Sequence, residues 1–189
     1  MIAILLGPPG VGKGTQAQAA AASQGWTHLS TGELLRQEVA EGTDLGKAAD
    51  EFMCRGDLVP DEVMVDMVAG RVGEVPAQDV LLLDGFPRTL PQAEALANRA
   101  SSGAIRLSVY FRAPDEVLIR RLLGRGRPDD TREVVEHRLA VYRQTTEPLV
   151  DYYRAAGILG EVDADRSIET IQADLVQLVQ TALESSSLS

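Results

Sequence analysis

The residues that could do chemistry begin with a glycine-rich segment, Gly7–Thr15, which reads Gly-Pro-Pro-Gly-Val-Gly-Lys-Gly-Thr. Segments of this kind bind polyphosphates, because glycine lets backbone N–H groups approach phosphate oxygens while the lysine adds a mobile positive charge. The pattern G-x-x-x-x-G-K is present, but Gly14 stands where Ser or Thr is usual, and a hydroxyl follows only at Thr15. The segment therefore predicts a polyphosphate site; a plain glycine turn between a strand and a helix is the alternative.

A second candidate site follows the apolar run Val80–Leu83, where the chain reads Asp-Gly-Phe-Pro-Arg from Asp84 to Arg88. A carboxylate at the end of a buried strand beside a phosphate loop predicts Mg²⁺ binding by Asp84, directly or through water. Arg88 would lie just past the end of the same strand, where ligands of open α/β sheets bind, which predicts a phosphate clamp. The alternatives are a helix or turn cap for Asp84 and a solvated surface position for Arg88.

Several further arginines are spaced through an acidic chain, at Arg36, Arg121, Arg125, Arg127 and Arg138. Arg121 and Arg125 are four residues apart and would share one helix face. Arg125 and Arg127 belong to the polar segment Gly124–Asp130, which we interpret as a flap. For any single arginine, a salt bridge at the surface is the ordinary interpretation. Together with a phosphate loop, however, converging guanidinium groups suit a transition state with dispersed phosphoryl charge.

Two acids in the same segment, Asp129 and Asp130, would anchor the flap arginines when the flap closes, or would form a solvated turn. No Ser-His-Asp or Cys-His nucleophile pattern is visible in the sequence. Phosphoryl transfer needs none, because it is catalysed by positioning and electrostatics.

The elements that must position these residues alternate between short apolar runs and helical patterns. The strand candidates are Ile2–Leu6, Thr27–Leu29, Val80–Leu83, Leu107–Phe111 and Ile158–Val162. Runs that are apolar on both faces suit a covered parallel sheet, so we predict an α/β fold with a five-stranded parallel sheet between helical layers. The long helical stretch Thr31–Gly73 predicts a small helical subdomain, and Pro148 should kink or break the helical stretch Thr131–Ala156. A C-terminal helix should cover the sheet with one apolar face, formed by Ile168, Ile171, Leu175, Leu178, Val179 and Ala182.

Composition narrows the class of protein. The chain has 189 residues and a formal net charge of -10, which argues against a general nucleic-acid or anionic-membrane binder. His28, His137 and Cys54 do not make a plausible structural zinc site. No apolar run approaches transmembrane length, and the first run, without a basic segment before it, is interpreted as a strand rather than a signal peptide. We therefore expect a cytoplasmic protein.

The sequence resembles the adenylate kinase family from Met1 to about Leu183. The resemblance is carried by five ordered motifs, namely Gly7–Gln16, Ser30–Arg36, Gly56–Asp61, Asp84–Thr89 with Gln92, and Thr146–Leu149. That family has glycine at the position of Gly14, so the departure noted above is expected. The resemblance implies the P-loop α/β/α kinase fold, in one domain spanning residues 1–189. Its parts would be a core of residues 1–29, 60–124 and 139–189, a helical NMP-binding insert of residues 30–59, and a short lid of residues 125–138.

The resemblance also implies roles for individual residues. ATP would be bound by Gly10, Val11, Gly12, Lys13, Gly14, Thr15, Arg121, Arg125 and a backbone carbonyl near Arg166. AMP would be bound by Thr31, Arg36, Asp57, Leu58, Val59, Gly85, Phe86, Pro87, Arg88, Gln92, Arg127 and Arg138, with Gln92 reading the adenine edge. Transfer would be assisted by Lys13, Arg88, Arg125, Arg127 and Arg138, with Mg²⁺ held by Asp84 through water.

The reaction implied is ATP + AMP ⇌ 2 ADP with Mg²⁺, carried out by a monomer on small nucleotides without nucleic-acid or membrane partners. A UMP/CMP kinase is the alternative within the same fold, although Thr31 and Gln92 favour adenine. A nucleotide-dependent switch is the alternative outside enzymes, but a mere binding module would not need the arginine set. The lid is unusually short, since only Gly126 separates Arg125 from Arg127. We hypothesise that closure therefore depends more on the AMP-side insert.

Overall fold

The computed structural model describes residues 1–76, 78–127 and 129–185. Pro128, which falls in the predicted lid, lies outside the described residues. Among the described helices, none combines the length and the apolar character that crossing a membrane would require.

One sheet of five parallel strands forms the centre of the fold, in the order β2-β3-β1-β4-β5. The strands are β1 (Ile2–Leu6), β2 (Thr27–Ser30), β3 (Leu81–Asp84), β4 (Ile105–Arg112) and β5 (Leu159–Asp163). The predicted parallel sheet is confirmed, and each predicted strand overlaps an observed one. Parallel pairing brings the carboxyl ends of β1, β2 and β3 to one edge of the sheet.

Helices connect the strands and form the outer layers. Within the described residues they are α1 (Lys13–Gln24), α2 (Thr31–Glu41), α3 (Asp44–Arg55), α4 (Asp61–Gly73), α5 (Leu90–Arg99), α6 (Asp115–Arg125), α7 (Arg132–Val141), α8 (Pro148–Ala155) and α9 (Ile168–Glu184). A π-helical turn, Tyr142–Thr146, links α7 to α8. Pro148 is the first residue of α8, where its missing N–H costs nothing, so the predicted break at this proline is confirmed.

The core lies on both faces of the sheet, because successive strand side chains point in opposite directions. Ile2, Ile4 and Leu6 of β1 pack toward α4, α5 and α8. Ala3 and Leu5 pack toward α1, α6 and α9. The three-layer α/β/α prediction is therefore confirmed.

The prediction of which side chains form the buried apolar face of the C-terminal helix is partly wrong. Ile171, Leu175 and Val179 are buried as predicted, and Leu178 is partly buried against the same core. Ile168 is 56% exposed, because it is the first residue of α9 and lies at the rim of a cleft rather than over the sheet.

Helices α2 and α3 form a tightly packed pair beside the end of the sheet. Ser30 caps α2 and Thr43 caps α3, each accepting a hydrogen bond from a backbone N–H three residues later. Gly46 lies where the helices touch: a Cβ added there would overlap the Glu38 carbonyl and lie 2.6 Å from Val39 N. The close approach of α2 and α3 therefore depends on the missing side chain of Gly46.

Gly46→Ala is expected to lower the free energy of unfolding, because the added methyl group must push α3 away from α2. Overpacking of this kind costs about 1–3 kcal/mol. Gly70→Ala is the matched control, since Gly70 lies inside α4 and an added Cβ would meet no described atom within 4 Å. Alanine should stabilise α4 there by up to about 1 kcal/mol through helix propensity. Urea unfolding measures both, and equal effects at the two positions would contradict the packing argument.

Candidate active site

A cleft of about 660 Å³ opens at the carboxyl ends of the central strands. Leu6 of β1, Ser30 at the end of β2 and Asp84 at the end of β3 all reach its wall. In open α/β sheets, ligands bind in the crevice outside these strand ends. The cleft therefore lies where the fold places a ligand.

The glycine-rich segment forms the loop between β1 and α1 and lines the cleft from Gly7 to Thr15, except for Pro8. Among the described residues no side chain caps α1, so the first N–H groups of that helix are left for a ligand. Lys13 Nζ folds over the loop and donates to Gly7 O at 2.6 Å and Pro8 O at 3.1 Å. The loop, the helix end and the lysine together form a positive cradle for phosphate.

Burial lowers the pKa of Lys13 from its ordinary value to about 8, against the attraction of Asp84 and with the added repulsion of Arg88 and Arg125. A lysine with a pKa of about 8 is mostly charged at neutral pH and loses charge just above it, and an approaching anion would raise its pKa again. Polyphosphate is the anion that the surrounding loop is built to hold.

Asp84 lies at the end of β3 directly beneath the loop. Burial acts to raise the pKa of its carboxyl group, but His28 and the positive charges of Lys13 and Arg88 outweigh burial, so the pKa lies below its ordinary value. A Cβ at Gly14 would lie 3.2 Å from Asp84 Oδ2. The glycine that departs from the common loop pattern thus leaves this carboxylate uncovered on the side of the loop.

The residues around Asp84 fit a hydrated magnesium ion. The described part of the chain contains no group of three residues that could hold a metal by themselves. Mg²⁺ usually keeps several waters and binds one or two carboxylates together with substrate phosphates. A single ionised carboxylate beside a phosphate loop meets that requirement. His28 Nε2, buried 3.9 Å from Asp84 Oδ2 with no hydrogen-bond partner among the described residues, offers a polar group to water.

Seven arginines line the cleft in the described structure. They are Arg36, Arg88, Arg121, Arg125, Arg127, Arg138 and Arg166. Their mutual repulsion is visible at Arg127, where burial and then the charges of Arg125 and Arg36 lower the pKa. Burial also lowers the pKa of Arg36. A protein with net charge -10 has therefore gathered positive charge in one place, which favours an anionic ligand.

Arg88 is held by its neighbours from several directions. Its Nε donates to Gly85 O at 2.8 Å, and its carbonyl oxygen accepts from Thr146 Oγ1 at 2.8 Å. Gly85 has φ +82°, and a Cβ there would lie 2.6 Å from Thr31 Oγ1 and 3.2 Å from Arg88 Nη2. Only glycine suits this turn, which directs the arginine into the cleft.

Two acids hold the arginines at the lid side. Asp130 accepts from Arg125 Nε at 2.8 Å and Nη2 at 2.7 Å, and from Arg138 Nη1 at 3.1 Å. Arg138 also pairs with Asp129. The side chain of Asp130 is 1% exposed, so its carboxylate is shielded from water, whereas the side chain of Arg125 is 32% exposed. Asp130 pairs with the flap arginine Arg125 as predicted, whereas Asp129 pairs with Arg138, which lies outside the flap segment Gly124–Asp130.

Most of the predicted nucleotide-binding residues line the one cleft. On the phosphate-loop side Arg121 Nη1 donates to Ala164 O at 3.0 Å, while the side chain of Arg166 turns toward Asp174. On the other side the lining residues are Arg36, Asp57, Leu58, Val59, Gly85, Pro87, Arg88, Gln92, Arg127 and Arg138.

Two predicted residues do not line the cleft. Thr31 is fully buried, and its hydroxyl donates to Asp84 O at 3.3 Å. The ring of Phe86 is 2% exposed and belongs to the core under α4 and α5. Any role for these two in binding rests on their backbone or on the support they give to their neighbours.

Sequence reasoning missed several groups at or near the cleft. Gln16 lines it and donates to Ile168 O at 3.1 Å, and Thr146 lines it and supports Arg88. His28 could have been noticed as a polar residue inside a strand predicted to be buried. Asp61 belongs to one of the five motifs, but an acid in the first turn of a helix is common. Its position in the sequence therefore does not indicate its hydrogen-bond partners.

A parallel sheet with a phosphate loop, a strand-end aspartate and a ring of arginines around one cleft defines a P-loop phosphotransferase. A comparison of the sequence with known protein families agrees with this class. The family described as adenylate kinase matches residues 5–158 of the chain. The chain therefore belongs to the adenylate kinase family.

Individual relatives share most of their length with it. The adenylate kinase of Prochlorococcus marinus (strain SARG) is 45% identical over 172 residues, which is 90% of this chain and 93% of the relative. The adenylate kinase of Mycobacteroides abscessus is 45% identical over 175 residues, or 92% and 96% of the two chains. That of Synechococcus sp. (strain WH7803) is 47% identical over 174 residues, or 91% and 94%.

Binding of a nucleoside triphosphate at pH 8 is expected to take up about half a proton, because a lysine with a pKa of about 8 is about half neutral there and phosphate charge raises its pKa. Titration calorimetry of MgATP in buffers with different ionisation enthalpies measures the uptake. Lys13→Met should abolish it. Uptake that persists in this variant, or no uptake by the parent protein, would show that Lys13 does not carry the proton.

Proposed function

We propose that this chain catalyses the reversible reaction ATP + AMP ⇌ 2 ADP and so balances the adenine nucleotides. The observation that carries the proposal is the convergence of seven arginines and Lys13 on one cleft at the carboxyl ends of the strands. A phosphate-binding module needs a loop and a helix end; it does not need guanidinium groups around the whole opening. That arrangement suits two phosphorylated ligands that meet.

We assign the donor to the loop side. Gly10–Thr15 would hold the ATP phosphates, with Lys13 near the transferred group. Arg121 and Arg125 would contact the donor from α6, and the segment around Arg166 would lie near its base. Support comes from the uncapped N–H groups at the start of α1 and from the hydrogen bond that ties Arg121 to the segment before α9.

We assign the acceptor to the opposite side. Arg36 and Arg88 would hold the AMP phosphate, and residues 57–59 together with Gln92 would surround the base. Support comes from the position of Gln92, which is 1% exposed yet reaches the cleft wall. The helices α2 and α3 would act as the NMP-binding insert, with residues 125–138 as the lid.

In the transfer step, an oxygen of the AMP phosphate attacks the terminal phosphorus of ATP, and the bond to the bridging oxygen breaks. The donor leaves as one ADP while the acceptor becomes the other. Lys13, Arg88, Arg125, Arg127 and Arg138 would stabilise the charge spread over the moving group. Asp84 would hold Mg²⁺ through water, and the ion would supply positive charge that neutralises the donor phosphates. We also propose that the protein acts as a cytoplasmic monomer, as its family resemblance leads us to expect.

The purified protein is expected to convert AMP and MgATP to ADP with a much higher kcat/KM than CMP or UMP. Arg88→Ala should lower kcat/KM for AMP by about 10³-fold or more, since arginine clamps on phosphoryl groups contribute that much. Arg154→Ala is the control, because this exposed arginine pairs with Asp151 and Glu161 on the surface, away from the cleft. Faster turnover of CMP or UMP would indicate a pyrimidine kinase. An undiminished rate in Arg88→Ala would rule out Arg88 as a phosphate clamp, and no turnover by the parent protein would indicate a binding module.

A second prediction concerns water exclusion. The link between α6 and α7 covers only residues 126–131, so it cannot cover a donor nucleotide by itself. In the absence of AMP, this protein is expected to hydrolyse ATP faster than a family member with a long lid, because water reaches the terminal phosphate. Phosphate release without AMP measures this leak. A leak as low as that of the long-lid enzyme would rule out partial water exclusion.

A further inference from the structure

The side-chain amide of Gln92 is held at both ends by the protein. Its Nε2 donates to Asp61 Oδ1 at 2.7 Å, and its Oε1 accepts from the backbone N–H of Arg88 at 2.7 Å. Asp61 is the first residue of α4, and its second oxygen accepts from Thr89 Oγ1 at 2.8 Å. Thr89 is in turn the cap of α5, the helix that carries Gln92.

These partners fix the direction of the amide as well as its position. A carboxylate can only accept hydrogen bonds, so the group facing Asp61 must be the amide nitrogen. A backbone N–H can only donate, so the group facing Arg88 must be the amide oxygen. An amide turned over by 180° would place oxygen against oxygen at Asp61 and donor against donor at Arg88.

One donor and one acceptor of Gln92 remain for a ligand. An amide nitrogen carries two hydrogens and an amide oxygen has two lone pairs, and the bonds above use one of each. Gln92 lines the cleft on the side proposed for AMP. It therefore offers a base a donor beside an acceptor, in an order that the protein has already set.

Adenine has the complementary order, with the ring acceptor N1 beside the donor 6-amino group. Hypoxanthine has the same shape with the two reversed, since N1 carries a hydrogen and position 6 carries an oxygen. A freely turning amide would accept either base by flipping. A fixed amide pairs with adenine and leaves groups unpaired against hypoxanthine, which is how buried polar sites discriminate strongly.

We propose that Asp61 is a specificity-determining positioning residue, which fixes the direction of the Gln92 amide so that the acceptor site selects a 6-amino purine over a 6-oxo purine. The inference rests on the proposed function, since it assumes that AMP binds beside Gln92. An aspartate is needed at position 61 for this role. An asparagine there could offer Gln92 either an oxygen or a nitrogen, so it would no longer dictate the direction of the Gln92 amide.

The test compares kcat/KM for AMP and for inosine monophosphate, with MgATP as donor, in the parent protein and in Asp61→Asn. This substitution keeps the shape and a hydrogen bond to Gln92 but removes the part of the directional constraint that Asp61 imposes. The AMP-to-IMP ratio is expected to fall by about tenfold, because the backbone N–H of Arg88 alone then sets the direction. The KM for ATP should not change. Glu62→Gln is the matched control: it makes the same change one residue away, on an exposed side chain, and should leave the ratio unaltered.

An unchanged ratio in Asp61→Asn, including an equal loss with both substrates, would overturn the proposal. Where turnover is too slow to measure, the ratio of the two dissociation constants from calorimetry replaces it. Asp61→Ala, which removes the acceptor altogether, should move the ratio in the same direction. Failure of the parent protein to phosphorylate AMP would instead contradict the proposed function, so the two failures are distinguishable.

Discussion

The gathering of positive charge in one cleft is the constraint on which the rest of the structure depends. Seven arginines and a lysine would repel one another without compensation, and the lowered pKa values of Lys13 and Arg127 express that repulsion together with burial. In the protein alone, the compensation comes from carboxylates that include Asp84 under the phosphate loop, and Asp129 and Asp130 at the lid side. Nucleotide phosphates bring the same negative charge, so their binding relieves a repulsion that the fold maintains.

The scaffold holds this charge by attaching the arginines to backbone carbonyls as well as to acids. Arg121 donates to Ala164 O, and Arg138 Nη2 donates to Met53 O at 3.1 Å, which joins α7 to the end of α3. Unlike a carboxylate side chain, a backbone carbonyl cannot be protonated in this pH range, and its position is fixed by the main chain. The guanidinium groups are therefore directed by the sheet and its helices rather than by their charged partners alone.

The sequence predicted the sheet, the loop and most of the cleft because these follow from local patterns. A doubly apolar run predicts a buried strand, and parallel strands bring their ends together, so Asp84 and Arg88 had to lie near Lys13. The burial of Thr31 depends on the close approach of α2 to the end of β3, and the burial of Phe86 depends on packing under α4 and α5. Neither could be predicted, because these contacts join elements that are separate in the chain. The exposure of Ile168 was missed for a similar reason: a helical pattern gives a face but not the point at which the sheet beneath it ends.

The bond between Gln92 and Asp61 could not be predicted from the sequence either, because 31 positions separate the two residues in the chain. It bears on how the site divides affinity for phosphate from selection of the base. The Coulomb attraction between arginine and phosphate is strong but does not depend on which base the nucleotide carries. The arginines therefore cannot select a nucleotide by themselves. Selection needs groups with a direction, and Gln92 is given one by Asp61 and by the backbone N–H of Arg88. Arg88 thus serves both ends of the acceptor site: its guanidinium faces the proposed phosphate position while its backbone orients the proposed base reader. The proposed phosphate clamp and the proposed base reader therefore share one residue, whose side chain is tied to Gly85 O and whose backbone N–H is tied to Gln92.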